Sequence, residues 1–181
     1  MTEAQLFALG LGLAALSGVR VYLTVLGVGL AGLAGWIELP AALQVATSPW
    51  VLVTAGALTV VEFTADKIPG VDSGWDLLHT LLRIPVGAFL AGAAMGNGGE
   101  MSGTGIVLGG GMAMLAHSLK AGTRALINTS PEPLSNWTAS AGEDAIALSG
   151  LALVFTHPWL AMALVLGVLC LAALLTAWVA N

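Results

Sequence analysis

The chain has 181 residues, 57% hydrophobic and 8% charged, with a mean hydropathy of +0.94; soluble domains carry about a quarter charged residues. That excludes an ordinary cytosolic enzyme and leaves an integral membrane protein. Five Lys+Arg against ten Asp+Glu give a net charge of −5 with no basic run, which excludes a nucleic-acid surface. Cys170, the one cysteine, lies in an apolar run and reads as a lipid- or core-facing small residue. Met1-Thr2-Glu3-Ala4-Gln5 lacks the positive start of a signal peptide, so the first apolar segment is expected to be retained.

A spanning helix needs roughly 20 apolar residues, and Pro, Gly clusters and charge cut the chain into six such pieces. They run approximately Ala4–Trp36, Trp50–Asp66, Trp75–Gly96, Thr104–Ile127, Asn136–Phe155 and Trp159–Val179. No linker is long enough to separate domains, so the reading is a single integral membrane domain over 1–181: an all-α, polytopic transmembrane helix bundle of about six spans. Trp36, Trp50, Trp75, Trp137, Trp159 and Trp178 all fall near proposed span ends, where the amphipathic ring prefers the headgroup level. Lys67, Lys120 and Arg124 fall on one side, which the positive-inside rule makes cytoplasmic. Both termini are expected there, with Glu38 and Glu100 outside. The first span is too long: thirty-three helical residues reach about 50 Å against a hydrocarbon core near 30 Å. Either it breaks at Ser17-Gly18-Val19-Arg20, or a tilted helix ends near Gly29 with an interfacial tail.

Local echoes suggest an internal repeat. Ile68-Pro69-Gly70-Val71-Asp72-Ser73-Gly74-Trp75 matches Ser130-Pro131-Glu132-Pro133-Leu134-Ser135-Asn136-Trp137 in Pro, Ser and Trp. This pair favours a parallel duplication, with Ser73 and Ser135 expected near the N-caps of similar helices. Ser17-Gly18-Val19-Arg20 against Ala121-Gly122-Thr123-Arg124 instead favours an inverted repeat of the kind transporters use. Thr47-Ser48-Pro49-Trp50 also echoes Thr156-His157-Pro158-Trp159, each at a span start.

Charge is concentrated. Six of the fifteen charged residues lie between Glu62 and Arg83, and five between Lys120 and Asp144. Ionisable groups within a span cost about 2.5–3.5 kcal/mol each on insertion scales, so they are normally paired, inward-facing and functional. Glu62 and Asp66 share a helical face at i,i+4. Asp76, His79 and Arg83 at i, i+3, i+7 each fall on an arc of about 60°, as do His117, Lys120 and Arg124. Asn136, Ser140 and Glu143 form another face, with Asp144 beside it. Arg20 and Arg83 sit deep and need a carboxylate or an anionic ligand; for Arg83 the candidates are Glu62, Asp66 and Asp144. The bland reading is a set of inter-helix ion pairs, with Lys67 and Lys120 snorkelling.

Gly92-x-x-x-Gly96 and Gly105-x-x-x-Gly109, with Gly110 and Gly111, suit close helix packing. Asn128-Thr129-Ser130 and Asn136-Trp137-Thr138 match glycosylation acceptors but fall on the expected cytoplasmic side and read as chance. No hydrolase or phosphate-loop motif occurs. Asp66, Asp72 and Asp76 with His79 could approach a divalent metal, but no second Asp-rich motif follows, so an enzyme of lipid phosphates is the least favoured reading. No cofactor is implied.

Glu62-Phe63-Thr64-Ala65-Asp66-Lys67-Ile68-Pro69-Gly70-Val71-Asp72-Ser73-Gly74-Trp75-Asp76, followed by His79 and Arg83, resembles the signature of a family of small membrane proteins catalogued as a domain of unknown function. Asn128 to Trp137 with Glu143-Asp144 resembles a second signature, and Gly18-Val19-Arg20-x-Tyr22-Leu23 a first. The resemblance implies a membrane location and weight on these polar positions. It does not choose a function.

The expectation is therefore a small transporter- or channel-like protein, in a bacterial inner membrane, whose cytoplasmic-half cluster binds a small ion or anionic group. Its partners are the lipid bilayer and that ligand, with a homo-oligomer left open. The candidate site residues are Arg20, Glu62, Asp66, Lys67, Asp72, Asp76, His79, Arg83, His117, Lys120, Arg124, Asn128, Glu143 and Asp144. Arg20, Arg83 and Arg124 would hold the anion; Glu62, Asp66 and Glu143 would balance the empty site or relay protons. The alternative is a non-transporting scaffold or accessory subunit, which should seal the cluster where a site should open to water.

Overall fold

Helix starts follow local chemistry in the computed structural model of the protein, which describes residues 1–68, 71–127, 129 and 133–179, with side chains at these positions except 72, 73, 76, 77, 133, 176 and 179. Thr2 and Gln5 form a reciprocal capping box at the head of α1 (Glu3–Val19). α2 (Val21–Leu33) follows after Arg20, then a 3-10 segment (Ala41–Thr47). Ser48 caps α3 (Pro49–Ala65), which has Pro49 in its first turn. α4 (Val71–Ala94), α5 (Gly103–Ile127), α6 (Pro133–Thr156) and α7 (Pro158–Val179) complete the chain. The structure is all-α, 86% helical, with no strand among the described residues.

The segmentation by Pro, Gly and Trp therefore locates the helices, and two to three candidate membrane spans are identified among the described residues by length and composition. Leu134–Thr156 and Pro158–Leu175 are each long and apolar enough to cross a membrane, and a third candidate joins Ala41–Thr47 to α3 through a 64° bend. α4 and α5 have 24 and 25 residues, but polar stripes dilute their hydropathy. α1 and α2 are short, at 17 and 13 residues. Exposed Leu164, Leu166, Val168, Leu171, Leu174 and Leu175 leave α7 apolar on its outside, consistent with an integral membrane protein.

The first apolar run breaks at Arg20, as one of its two readings expects, yet it does not continue across. Met1 and Leu6 line a cavity of about 280 Å³ together with Glu38–Ala42 and Gly96–Glu100. The start of α1 thus stands beside the segment that follows α2. A Cβ on Gly10 would lie 3.2 Å from Ala91 Cα, and Ser17 Oγ reaches the Arg83 carbonyl at 3.4 Å, so α1 runs antiparallel to α4. α2 then returns, with Gly29 against the Ala46 carbonyl. α1 and α2 form a helical hairpin with Arg20 at its tip. This corrects the single broken span and the expected terminus: Met1 shares the end of the bundle that holds Glu38 and Glu100, away from Lys67 and Arg124.

Glycine lets α1, α4 and α5 meet. A Cβ on Gly105 would stand 2.7 Å from the Ala91 carbonyl oxygen, and one on Gly109 2.6 Å from that of Gly87. Gly111 faces open space. Gly109→Val is expected to cost about 1–3 kcal/mol, lowering the melting temperature in detergent by roughly 2–12 °C, while Gly111→Ala leaves it unchanged or slightly raised. Equal melting of the two variants would contradict this packing.

The repeat expectation finds no support in its capping detail. α4 and α6 begin at Val71 and Pro133, so Ser73 and Ser135 are third residues of their helices and not N-caps. Residues 69, 70 and 130–132 of the two matched loops lie outside the described residues. The matched tryptophans differ in environment: Trp75 stacks on His79 with centroids 4.2 Å apart, whereas Trp137 is exposed.

Candidate functional site

Four helices and the hairpin tip converge on one buried charge cluster. Arg20, Glu62 and Arg83 have no exposed surface, and Asp66, His117, Lys120, Arg124, Asn136 and Ser140 are also buried. The helical spacings explain the convergence: Glu62 and Asp66 project from α3, His79 and Arg83 from α4, His117, Lys120 and Arg124 from α5, and Asn136, Ser140 and Glu143 from α6.

The cluster has two levels. At the deeper one, Arg83 Nη2 donates to Glu62 Oε1 at 2.9 Å. Arg83 Nη1 lies 2.9 Å from His117 Nδ1; a guanidinium only donates, so Nδ1 accepts and Nε2 carries the hydrogen toward Thr80 Oγ1, 2.7 Å away. The expectation that Arg83 points inward to one of three carboxylates is met by Glu62.

At the second level Arg20 bridges helices. It pairs with Asp66 through Nη1 and stands 2.6 Å from Asp144 Oδ1 through Nη2, while Nη2 also approaches Ser140 Oγ at 3.3 Å. Lys120 Nζ donates to Asp66 Oδ2 and to the Val19 carbonyl, both at 3.3 Å, and lies 3.4 Å from Glu143. The carbonyl of Val19 ends α1, where backbone acceptors lack helical partners. Arg124 grips Glu143 with a fork, Nε to Oε1 at 2.7 Å and Nη2 to Oε2 at 3.0 Å, and also donates to Asn136 Oδ1. Lys67, 30% exposed, marks the rim: its Nζ donates to the Phe63 carbonyl at 2.9 Å and lies 3.5 Å from Asp144.

His79 lies apart from these ion pairs. Its Nδ1 donates to the Trp75 carbonyl and its Nε2 meets the Tyr22 hydroxyl, both at 2.7 Å. Of the fourteen candidate residues, nine therefore share one network, Lys67 borders it and His79 sits beside it. Asp72 and Asp76 have no described side chain, and Asn128 lies outside the described residues. Tyr22 and Thr80 contact the two histidines and are not among the candidates. An uncharged hydroxyl gives no insertion-cost signal, although Tyr22 follows Arg20 by two residues and Thr80 adjoins His79.

Neither the 280 Å³ cavity nor a second of about 370 Å³, bounded by Tyr22, Val25, Trp50, Leu58, Leu82 and Val86 among others, is lined by ion-paired residues of the network. Among the described residues no three His, Cys, Asp or Glu side chains gather as metal ligands. In principle the arrangement can hold an anion by exchanging one carboxylate on an arginine, or hold protons on its carboxylates.

No curated protein and no solved structure matches the chain. The model of a family described as a domain of unknown function, DUF4126, matches residues 7–178, and the chain belongs to that family.

Proposed function

We propose that this is a small transporter- or channel-like membrane protein whose buried charge cluster binds a small ion or anionic group. The observation that carries the reading is the hairpin tip. Helices are interrupted at membrane depth only where protein or a site surrounds the freed backbone, and transporters place such interruptions at their binding sites. Here the interruption is a fully buried arginine facing Asp66 and Asp144. Arg20, Arg83 and Arg124 hold the anion, and Glu62, Asp66 and Glu143 balance the empty site. Lys67, Lys120 and Arg124 set the cytoplasmic end, which in this fold puts Met1 on the other side of a bacterial inner membrane.

A second reading, a scaffold or accessory subunit, is favoured by the carboxylate facing each buried cation. Reconstitution separates the two. Purified protein in liposomes is expected to move chloride, nitrate or phosphate down a gradient, and Asp66→Asn to slow that flux by about tenfold or more, because it weakens charge-assisted hydrogen bonds. Silent liposomes with well-folded protein would leave the scaffold reading in place.

A further inference from the structure

A crevice runs along the side of the bundle between α2, α3 and α4. It holds about 370 Å³, and Val25, Leu58, Leu82 and Val86 are among its walls. A Cβ on Gly29 would lie 2.7 Å from Leu52 Cδ2, and one on Gly56 3.9 Å from Leu26 Cδ1. α2 and α3 therefore run antiparallel along the crevice, with Tyr22 and Trp50 at opposite ends. Trp50, Thr54 and Leu82 are exposed, as are the adjacent Val53 and Leu81. The crevice opens sideways onto an apolar surface, and what reaches such a mouth in a bilayer is hydrocarbon.

Among the described residues that line it, only Tyr22, Trp50 and Thr54 carry a polar side-chain atom. At the Tyr22 end, His79 Nδ1 gives its hydrogen to the Trp75 carbonyl at 2.7 Å. Nε2 of the neutral ring then accepts, and the Tyr22 hydroxyl, 2.7 Å away, donates to it. The imidazole stacks on Trp75 at 4.2 Å and meets the Tyr22 ring edge-on at 5.4 Å, which holds the hydroxyl in place. With its hydrogen committed to His79, Tyr22 Oη offers only lone pairs to the crevice. Behind it lie Glu62, one turn beyond Leu58, and Arg83, next to Leu82. These two already pair with each other at 2.9 Å, and both act on the Tyr22 phenol. An anionic head arriving at Tyr22 would find no hydrogen offered there and would face the Glu62 carboxylate as well as the arginine. A hydroxyl head instead donates to Tyr22 Oη and brings no charge into an apolar site.

We infer that the crevice binds a single-chain membrane alcohol, with its hydrocarbon chain along α2, α3 and α4 and its hydroxyl donating to Tyr22 Oη. This site is separate from the charge cluster and does not depend on whether that cluster transports an ion or only braces the bundle.

Protein in phosphatidylcholine nanodiscs is irradiated with a hexadecanol analogue that carries a mid-chain diazirine, and the labelled peptides are read by mass spectrometry. Labelling of α2, α3 and α4 is expected to saturate and to be displaced by excess hexadecanol, while labelling of the exposed leucines of α7 rises without saturating. Hexadecyl methyl ether has the same chain and cannot donate, so it is expected to compete about tenfold more weakly, the loss of one hydrogen bond. Tyr22→Phe removes the acceptor and keeps the ring, and should make the alcohol and its ether compete alike. Leu58→Trp fills the crevice and should abolish the saturable labelling, with melting in detergent reporting that the variant is folded. Labelling of α2–α4 that does not saturate, or that matches α7, would overturn the site. Equal competition by the ether in the wild type, or stronger competition by palmitate than by hexadecanol, would overturn the hydroxyl head. Should either variant fail to fold, the wild-type competition series still decides.

Discussion

Arg20→Leu is expected to cost about 3–5 kcal/mol, because removing one partner of a buried ion pair leaves the other charge enclosed and uncompensated. Asp66, 1% exposed, would keep Lys120 and the more distant Arg124 but lose the Arg20 guanidinium, and among the described residues Asp144 would keep the rim contact to Lys67. The hairpin tip would also lose its tie to α3 and α6. At this chain length the melting temperature in detergent should fall by roughly 6–20 °C, with reduced yield in the membrane. Arg20→Lys keeps the charge but not the planar fork that spans two carboxylates, so an intermediate loss is expected. Melting of Arg20→Leu at the wild-type temperature would show that the tip is not held by these pairs.

The faces that carry charge were legible because helical spacing is local. His117, Lys120 and Arg124 needed only the i, i+3, i+7 rule to fall together, and all three are buried. Their partners were not legible. Arg20 pairs with residues 46 and 124 positions away, and periodicity ranks no carboxylate over another at such separation; for Arg83 it left three candidates where packing selects Glu62. The helix segments were marked by Pro49, Pro158, the glycine loops and the tryptophans. The direction of α1 was not. A thirty-residue apolar run buries the same side chains whether it crosses once with a kink or turns back, and the difference lies in distant fits such as Gly10 against Ala91 and Gly29 against Ala46. Length and composition mark only two to three of the helices as candidate spans for a related reason. Hydropathy in the N-terminal half of α4 and the C-terminal half of α5 is offset by the residues that build the cluster, so these long helices do not carry the composition of a lone span.

The Arg83–Glu62 pair allows the two functional readings to be separated on one set of variants. Arg83→Leu alone removes the cation that meets Glu62 at 2.9 Å and withdraws a donor from His117 Nδ1, and Glu62→Leu alone removes the fully buried carboxylate that Arg83 Nη2 meets. Each is expected to cost about 3–5 kcal/mol. The double variant Arg83→Leu with Glu62→Leu removes both charges, and replacing a buried pair by apolar residues is commonly neutral or stabilising by about 1–4 kcal/mol. Its melting temperature should therefore return close to that of the wild type, with a large non-additive coupling between the sites. If the pair serves only to hold the bundle, the recovered double variant should also recover whatever assembly the protein supports. If the pair belongs to a transport site, the double variant should fold and carry no flux, since neither the anion's cation nor the carboxylate that balances the empty site survives. Losses that simply add would show that Arg83 and Glu62 act through different neighbours, and would remove the pair as the unit on which the deeper level of the cluster is built.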